Sequence, residues 1–360
     1  MSERLLIINP GSTSTKIAVF EGESPLFTEI IEHDQAELDL FRTIYDQYEY
    51  RKRIILESME THGVEPAALA AVVSRGGLLP PVQSGAYIVN RDMLWQLRHN
   101  PENDHASNLG ALIAKSIADE LSISAYVYDP VTVDEMLPIA KICGLPEFRR
   151  KSMIHALNMR ASAIRYAAEK GVPYPELTLI VAHLGGGITL SLHCGGKMID
   201  VASDEEGPFS PERAGGLPTF QTLKLAAESG KDFSQLYNYV KKKGGLAGHL
   251  GLNDGRQAEK RILQGDAKAE LIYKAMAYNI SKFIGGLATA ACGKVDAVIL
   301  TGGLAHSDML CGWIRERVEF IAPVSVHPGE NEMQSLANGV LRVLRGEEGA
   351  HSFTKVEGKF

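Results

Sequence analysis

Three turns rich in glycine and hydroxyl groups interrupt apolar runs in this chain, and each has the chemistry to meet an anion. The first, Asn9-Pro10-Gly11-Ser12-Thr13-Ser14-Thr15, lies between "LLII" and "KIAVF". The second is "AHLGGG", Ala182 to Gly187, again with apolar runs on both sides. When the two are aligned, Asn9 falls on His183 and Gly11 on Gly185. The third, "TGGLAHS" from Thr301 to Ser307, joins an apolar strand to a helix. Such turns expose successive backbone N–H groups in concave arrangements suited to phosphate. Glycine lets a ligand approach the backbone closely, and a following helix N-terminus favours negative charge. Ser12, Gly185, Gly186, Gly187, Gly302 and Gly303 are therefore candidate nucleotide contacts. One such hairpin is ordinarily structural, and strand–Gly–Gly–helix joints are common, so it is the repetition that favours a ligand. Neither GxxxxGK[ST] nor GxGxxG occurs, which disfavours the P-loop and dinucleotide-binding routes.

The elements around these turns read as two α/β halves. Strands are expected near 5–9, 16–20, 71–74 and 125–128, with helices near 36–61 and 107–121. The second half is expected to hold strands near 177–183, 188–193, 197–201, 297–301 and 325–326. Its helices fall near 153–170, 233–242, 267–291 and 308–318. Three strands followed by helix–strand alternation, twice over, is a duplicated plan. The halves are expected to divide as 1–155 and 156–332, with the boundary near 150–160. A last helix near 333–345 packs back on the first half, and 347–360, polar and glycine-bearing, reads as a loose tail. Arg75 follows "LAAVVS" and precedes Gly76-Gly77, at a strand's C-terminal edge, where α/β clefts lie. Asp129 ends the apolar strand of "YVYDPV". Each also has a plain reading, Arg75 as a surface loop residue and Asp129 as the residue opening a turn before Pro130.

The 360 residues suggest two domains, and 45% hydrophobic with 22% charged residues is the balance of a globular protein with sizeable cores. A net charge of −7 leaves no footprint for nucleic acid. Lys241 to Lys243 read as a solvated helix end. The four cysteines are widely spaced without a CxxC, which suits free thiols in a reducing compartment. The apolar part of the N-terminus is too short for a signal peptide, and no stretch approaches the roughly 20 apolar residues that span a bilayer. A cytoplasmic protein without membrane contact is expected.

In order along the chain, "INPGSTSTK", Arg75, "AHLGGG", "TGGLAHS" and "HPGENE" resemble the acetate kinase family, within the superfamily of sugar kinases, actin and heat-shock chaperone ATPases. The butyrate kinase branch is the nearest in look. The resemblance covers most of the chain. It implies duplicated actin-like ATPase (ribonuclease H-like) domains with a nucleotide cleft between them. It also implies ATP/ADP and Mg²⁺ as cofactors and a homodimer or higher homo-oligomer. The implied reaction converts a short-chain carboxylic acid and ATP to an acyl phosphate and ADP, and back, by direct in-line transfer. The acid is already ionised at neutral pH, so it needs no general base. Catalysis then reduces to positioning and to neutralising charge on the moving phosphoryl group. Asn9, where many superfamily members carry Asp, adds no like-charge repulsion near a carboxylate nucleophile.

By the same resemblance, Arg75 holds the substrate carboxylate and the migrating phosphoryl group, and Asp129 orients Arg75, a water or the metal shell. His155, in "RRKSMIHALNMR", and His183 donate hydrogen bonds to phosphoryl oxygens. Arg213, in "SPERAGGLP", is the second arginine, on a loop whose flanks match less closely. Glu332, with Asn9, serves the Mg²⁺ shell, as hard oxygen ligands should. His105 borders the substrate site, while Asp254, Arg256, Gly302, Gly303, Gly329 and Asn331 lie near the nucleotide. The plainer alternatives are a first-turn helix glutamate for Glu332 and a helix-capping role for His105.

Acetate kinases carry Arg-Val-Val-His-Gly-Gly where this chain runs directly from Arg75 to Gly76-Gly77. Loss of those side chains is expected to deepen the acyl pocket, at ~0.8 kcal/mol per methylene buried, favouring butyrate or branched C4–C5 acids. Acetate or propionate as substrate is one alternative. Another is a sugar or hydroxyl kinase, for which Asp129 is the candidate base. A third, non-enzymatic alternative is an actin-like or chaperone-like ATPase.

Overall fold

A computed structural model describes residues 3–99 and 105–356. In chain order the first elements are β1 (Arg4–Pro10), β2 (Ser14–Glu21), β3 (Ser24–Glu32), α1 (Gln35–Leu38) and α2 (Tyr48–Thr61). β4 (Ala71–Ser74), β5 (Ala86–Ile88), α3 (Arg91–His99), α4 (Asn108–Glu120) and β6 (Ser124–Tyr128) follow. Next come α5 (Ala156–Lys170), β7 (Leu179–Leu184), β8 (Ile188–Cys194) and β9 (Lys197–Ala202). Five helices succeed them: α6 (Thr219–Glu228), α7 (Phe233–Lys242), α8 (Gly245–Leu250), α9 (Gly255–Leu263) and α10 (Ala267–Ala290). The chain ends with β10 (Ala297–Gly302), α11 (Asp308–Val318), β11 (Val324–Pro328), α12 (Glu332–Leu344) and β12 (Ala350–Ser352).

Two compact units result. Unit 1 runs to Val133 and resumes at Asn331, and unit 2 is Asp134–Glu330. The division precedes the expected 150–160 region because the segment after Val133 is tied into unit 2. Leu137 N–H donates to Ile199 at 2.9 Å, Met198 N–H to the Glu135 carboxylate at 3.0 Å, and Arg150 pairs with Asp200 at 2.9 Å.

The two sheets repeat one topology. In unit 1 the order is β12-β5-β6-β4-β1-β2-β3, and in unit 2 it is β11-β10-β7-β8-β9. Each has an antiparallel three-strand meander whose first strand is flanked by two successive parallel strands, β4 and β6 or β10 and β11. Even the irregularity repeats, with a register shift at Val19/Phe20 and another at Leu192/His193. β7 and β10 are buried along their whole length, and so read as continuous apolar runs rather than alternating ones. The unit 2 core fills the space between this sheet and helices α10 and α11, with Tyr273, Met276, Ile280 and Ile284 of α10 against Ile180, Leu190 and Leu300. In unit 1, α12 buries Met333, Leu336, Ala337, Val340 and Leu341, a single helical face, and packs on β1, β4 and β6.

Two expectations need correction. The helix expected over 36–61 is broken, because Thr43 and Asp46 form a capping box that starts a new turn at Ile44–Gln47 before α2. The 347–360 segment is not loose as far as it is described. β12 pairs in parallel with β5, Phe353 is buried, and Glu348 accepts from Tyr128 at 2.8 Å and from Arg342 at 3.1 Å. Residues 357–360 lie outside the described residues. Among the described residues, no helix is long and apolar enough to cross a membrane.

Candidate active site

Unit 1 presents the first turn between β1 and β2. β1 ends at Pro10 and β2 begins at Ser14, so Gly11, Ser12 and Thr13 make the connection. Asn9 pairs with Lys16 across the hairpin, which places both side chains on one face of the sheet. The Asn9 amide donates to Glu332 Oε2 at 2.8 Å, and Arg75 forms an ion pair with Glu332 Oε1. Arg75 sits just past β4, where its N–H donates to Ile8 of β1 at 3.3 Å. Three residues from β1, the end of β4 and the start of α12 therefore converge, and the shared object is a carboxylate. Lys16 makes no ion pair among the described residues, although its position beside Asn9 suits an anion. Sequence reading passed over it, even though it ends the "GSTSTK" run.

His105 Nδ1 accepts the Ser107 N–H at 3.2 Å and contacts its hydroxyl at 2.8 Å, just ahead of α4. An imidazole whose Nδ1 accepts a backbone N–H carries its proton on Nε2 when neutral. Burial, and then the charge of Arg75, hold His105 below its ordinary pKa, which favours that neutral form. Asp129 is buried with a positive φ of 40°, and its Oδ1 accepts the Gly85 N–H at 2.7 Å. Gly76 and Gly77 pack tightly against their neighbours. A Cβ on Gly77 would lie 2.6 Å from the Asn108 Cα, and one on Gly76 would strike Val127. These glycines admit close packing of α4 and β6.

Unit 2 repeats the turn with Gly185, Gly186 and Gly187 between β7 and β8. His183, at the position of Asn9, is buried and oriented on three sides. Asn158 Nδ2 lies 2.9 Å from its Nδ1, Glu330 Oε1 lies 3.0 Å from its Nε2, and the His155 ring stacks on it with centroids 3.8 Å apart. Asn158 also donates to Thr301 at 3.2 Å. His155 precedes α5, and its Nδ1 lies 2.9 Å from the Thr189 hydroxyl on β8. Because an amide NH₂ can only donate, Nδ1 of His183 is the acceptor and Nε2 carries a hydrogen. The Arg213 guanidinium covers the turn, so that a Cβ on Gly187 would sit 2.6 Å from its Cζ and would displace it. Asp204 holds both Arg213, at 3.2 Å, and Lys241. Ser210 ties the same loop to the turn by donating to the Gly186 carbonyl at 2.7 Å.

Beside this turn lies a cleft of about 690 Å³, bounded by Gly185, Gly186, Asp254, Arg256, Gly303 and Glu330. Asp254 N-caps α9 through the Arg256 N–H at 2.9 Å and also holds the Arg256 side chain at 2.8 Å, at the cleft's rim. Gly302 and Gly329 face each other in an antiparallel bridge at the ends of β10 and β11. Asn331 N-caps α12, accepting from Gln334 at 3.3 Å.

The model of the acetokinase family matches residues 154–321. A probable butyrate kinase of Clostridium botulinum (strain Alaska E43 / Type E3) is 47% identical over 352 residues, 97% of this chain and 99% of the relative. The chain belongs to the acetokinase family. Its fold is that of solved acetokinases. The acetate kinase of Porphyromonas gingivalis superimposes with a TM-score of 0.79 at 20% identity, over 95% of this chain and 99% of that one. A propionate kinase from Francisella tularensis subsp. tularensis SCHU S4 gives 0.74 at 17%, over 94% and 99%. Against this family frame the residue least legible in the sequence is Arg51 of α2. In the run "YRKRII" it reads as one of several exposed charges, yet it is fully buried and bonded to the first turn.

Proposed function

We propose that this acetokinase phosphorylates a short-chain fatty acid, butyrate or a branched C4–C5 acid, from ATP, and runs the reverse reaction to make ATP. A carboxylate oxygen of the acid attacks the γ-phosphorus, a new P–O bond forms, and the bond to the ADP oxygen breaks with its electron pair leaving on ADP. No proton moves. The observation that carries this reading is the convergence of Asn9 and Arg75 on one carboxylate, that of Glu332. Donors that already hold a side-chain carboxylate have the geometry to hold a substrate carboxylate or a phosphoryl oxygen. The 47% identity to a probable butyrate kinase supports the same reading and is the reason to place butyrate first among the acids.

In this reading the unit 2 cleft takes the nucleoside, with Asp254, Arg256, Gly302, Gly303, Gly329 and Asn331 near it. The turns at Ser12 and at Gly185 to Gly187 offer amides to its phosphates. His183 and His155 donate to phosphoryl oxygens, and Arg213 neutralises charge that spreads over them in the transition state. Arg75 grips the acid, with His105 bordering it through a neutral Nε2–H, and Asp129 stiffens the neighbouring loop through Gly85. The Glu332 carboxylate and Asn9 amide oxygen are hard donors of the kind Mg²⁺ takes one or two of beside water and phosphate, so the set fits that ion. Bound there, Mg²⁺ would screen the phosphate charge.

Self-association as a homodimer or larger assembly suits α6 and α7, which bury no residue in the chain, while Phe220 is 87%, Phe233 82% and Leu223 61% exposed. Four unpaired cysteines suit the cytoplasm. The test of function is formation of acyl hydroxamate from ATP, hydroxylamine and each acid from C2 to C5. Butyrate or a branched acid should give the highest kcat/KM. ATP hydrolysis with no hydroxamate from any acid would refute the proposal.

A further inference from the structure

Arg51 is a buried cation without an anion. Its side chain is fully enclosed, and among the described residues it bonds to no carboxylate. Instead Nη1 donates to the carbonyls of Gly11 at 2.9 Å and Ser14 at 3.3 Å and to the Thr15 hydroxyl at 3.0 Å. Nη2 donates to the Ser12 carbonyl at 3.1 Å, and Nε to the Gln47 side chain at 3.0 Å. Burying an uncompensated charge is costly, and an apolar residue of similar volume is commonly the more stable choice. Thermodynamic stability alone does not account for a guanidinium at this position.

The geometry points to a task. The remaining carbonyl of the turn, that of Thr13, accepts from His33 N–H at 2.9 Å, so the carbonyls from Gly11 to Ser14 are all engaged by the protein. In a planar trans peptide the N–H points opposite to the C=O. Arg51, by fixing the Gly11 and Ser12 carbonyls, sets the direction of the Ser12 and Thr13 N–H groups on the other side. Those two amides find no acceptor among the described residues, and both residues are exposed. In unit 2 the matching turn is held by a neutral donor, the Ser210 hydroxyl on the Gly186 carbonyl, and its cation, Arg213, lies against Gly187. Both turns are thus fixed through a carbonyl and supplied with a guanidinium, but by different residues.

We infer that Arg51 is a positioning residue for phosphoryl transfer, orienting the Ser12 and Thr13 amides toward the nucleotide's phosphates and placing a fixed positive charge behind them. The inference rests on the kinase reading. It differs from a packing role because the effect should fall on the nucleotide and not on the acid. His33 does not share the charge. Burial, and then Arg51 itself, hold its pKa down to about 4, so it stays neutral beside the guanidinium at pH 7.

The test compares wild type, Arg51→Lys and Arg51→Ala for acyl hydroxamate formation, with KM measured separately for ATP and for butyrate and with Tm as the control for folding. Expected for Arg51→Ala is a loss of at least ~10-fold in kcat/KM for ATP, with KM for butyrate changed by less than about twofold. Free guanidinium ion at millimolar concentration should restore part of the activity of Arg51→Ala. Arg51→Lys should fall between, since an ammonium supplies charge without the planar fork. A folded Arg51→Ala or Arg51→Lys with wild-type kcat/KM for ATP overturns the inference. If both variants fail to fold, Gln47→Leu, which removes only the Nε tether, decides it. KM for ATP should rise by about threefold at constant KM for butyrate, and an unchanged value overturns the inference. Wild-type protein that makes no hydroxamate defeats the kinase reading itself, a result distinct from Arg51 variants that match an active wild type.

Discussion

The imidazoles of His155 and His183 lie face to face, 10° from coplanar with centroids 3.8 Å apart. The stack fixes the plane of His183, and Asn158 at 2.9 Å fixes which of its nitrogens carries the hydrogen. A donor aimed in advance costs no reorganisation when charge develops on the phosphoryl oxygens. Asn158→Ala frees the ring to exchange its two nitrogens. It should lower kcat by roughly tenfold while KM for the acid stays constant, as steady-state kinetics would report. Equal kcat in variant and wild type would separate Asn158 from the chemistry.

Arg75→Ala should lower kcat/KM by at least ~100-fold, given the charge that Arg75 is asked to neutralise. Arg75→Lys should recover little, because a point charge does not reproduce the fork that grips a carboxylate. Unchanged turnover in Arg75→Ala would remove this residue from the mechanism.

Gly77→Ala should destabilise the protein by about 1–3 kcal/mol, since a methyl group there meets the backbone of Asn108 at the start of α4. Urea unfolding measures the loss directly. The variant bears on the acyl preference as well. If Gly77 shaped the acyl pocket, Gly77→Ala would shift the order of acids. The packing of Gly77 against Asn108 predicts the same order with lower stability.

What could be read from the sequence was what is local. The paired turns stood out because each is three residues long and is flanked by buried strands, so apolar runs and glycine placement suffice to find them. Arg75 and His183 were legible as residues at or near strand ends. β3, β5 and β12 were not, because they are short or half-exposed and lack a continuous apolar run. Arg51 lies beyond any local signal, since "YRKRII" has the pattern of a solvated helix face and only the turn packed against α2 makes it a buried cation. Asp254 and Asn331 stood out only through the family resemblance, and each side chain also caps a helix N-terminus. That use depends on where α9 and α12 begin.

Two buried histidines make stability pH-dependent. Burial, followed by the charge of Arg160, holds His193 at about 3, and His33 lies at about 4. Both values are below the ~6.5 of an unfolded histidine, so below pH 6.5 the unfolded chain binds the extra protons. Stability is therefore full above about pH 6.5 and falls with decreasing pH, by roughly 1.4 kcal/mol per pH unit per histidine, until the folded value is reached. His193→Gln should flatten the dependence of unfolding free energy on pH between 6.5 and 4.5 by about one proton's worth. A slope identical to wild type would show that His193 titrates normally.

The central claim is that a carboxylate oxygen becomes bonded to phosphorus. It is tested most directly by running the reaction with butyrate carrying heavy oxygen in both carboxylate positions and cleaving the product with hydroxylamine, which attacks the acyl carbon. The account predicts that the inorganic phosphate then released carries one labelled oxygen by mass spectrometry. Phosphate without label, or no hydroxamate despite ATP turnover, would contradict it.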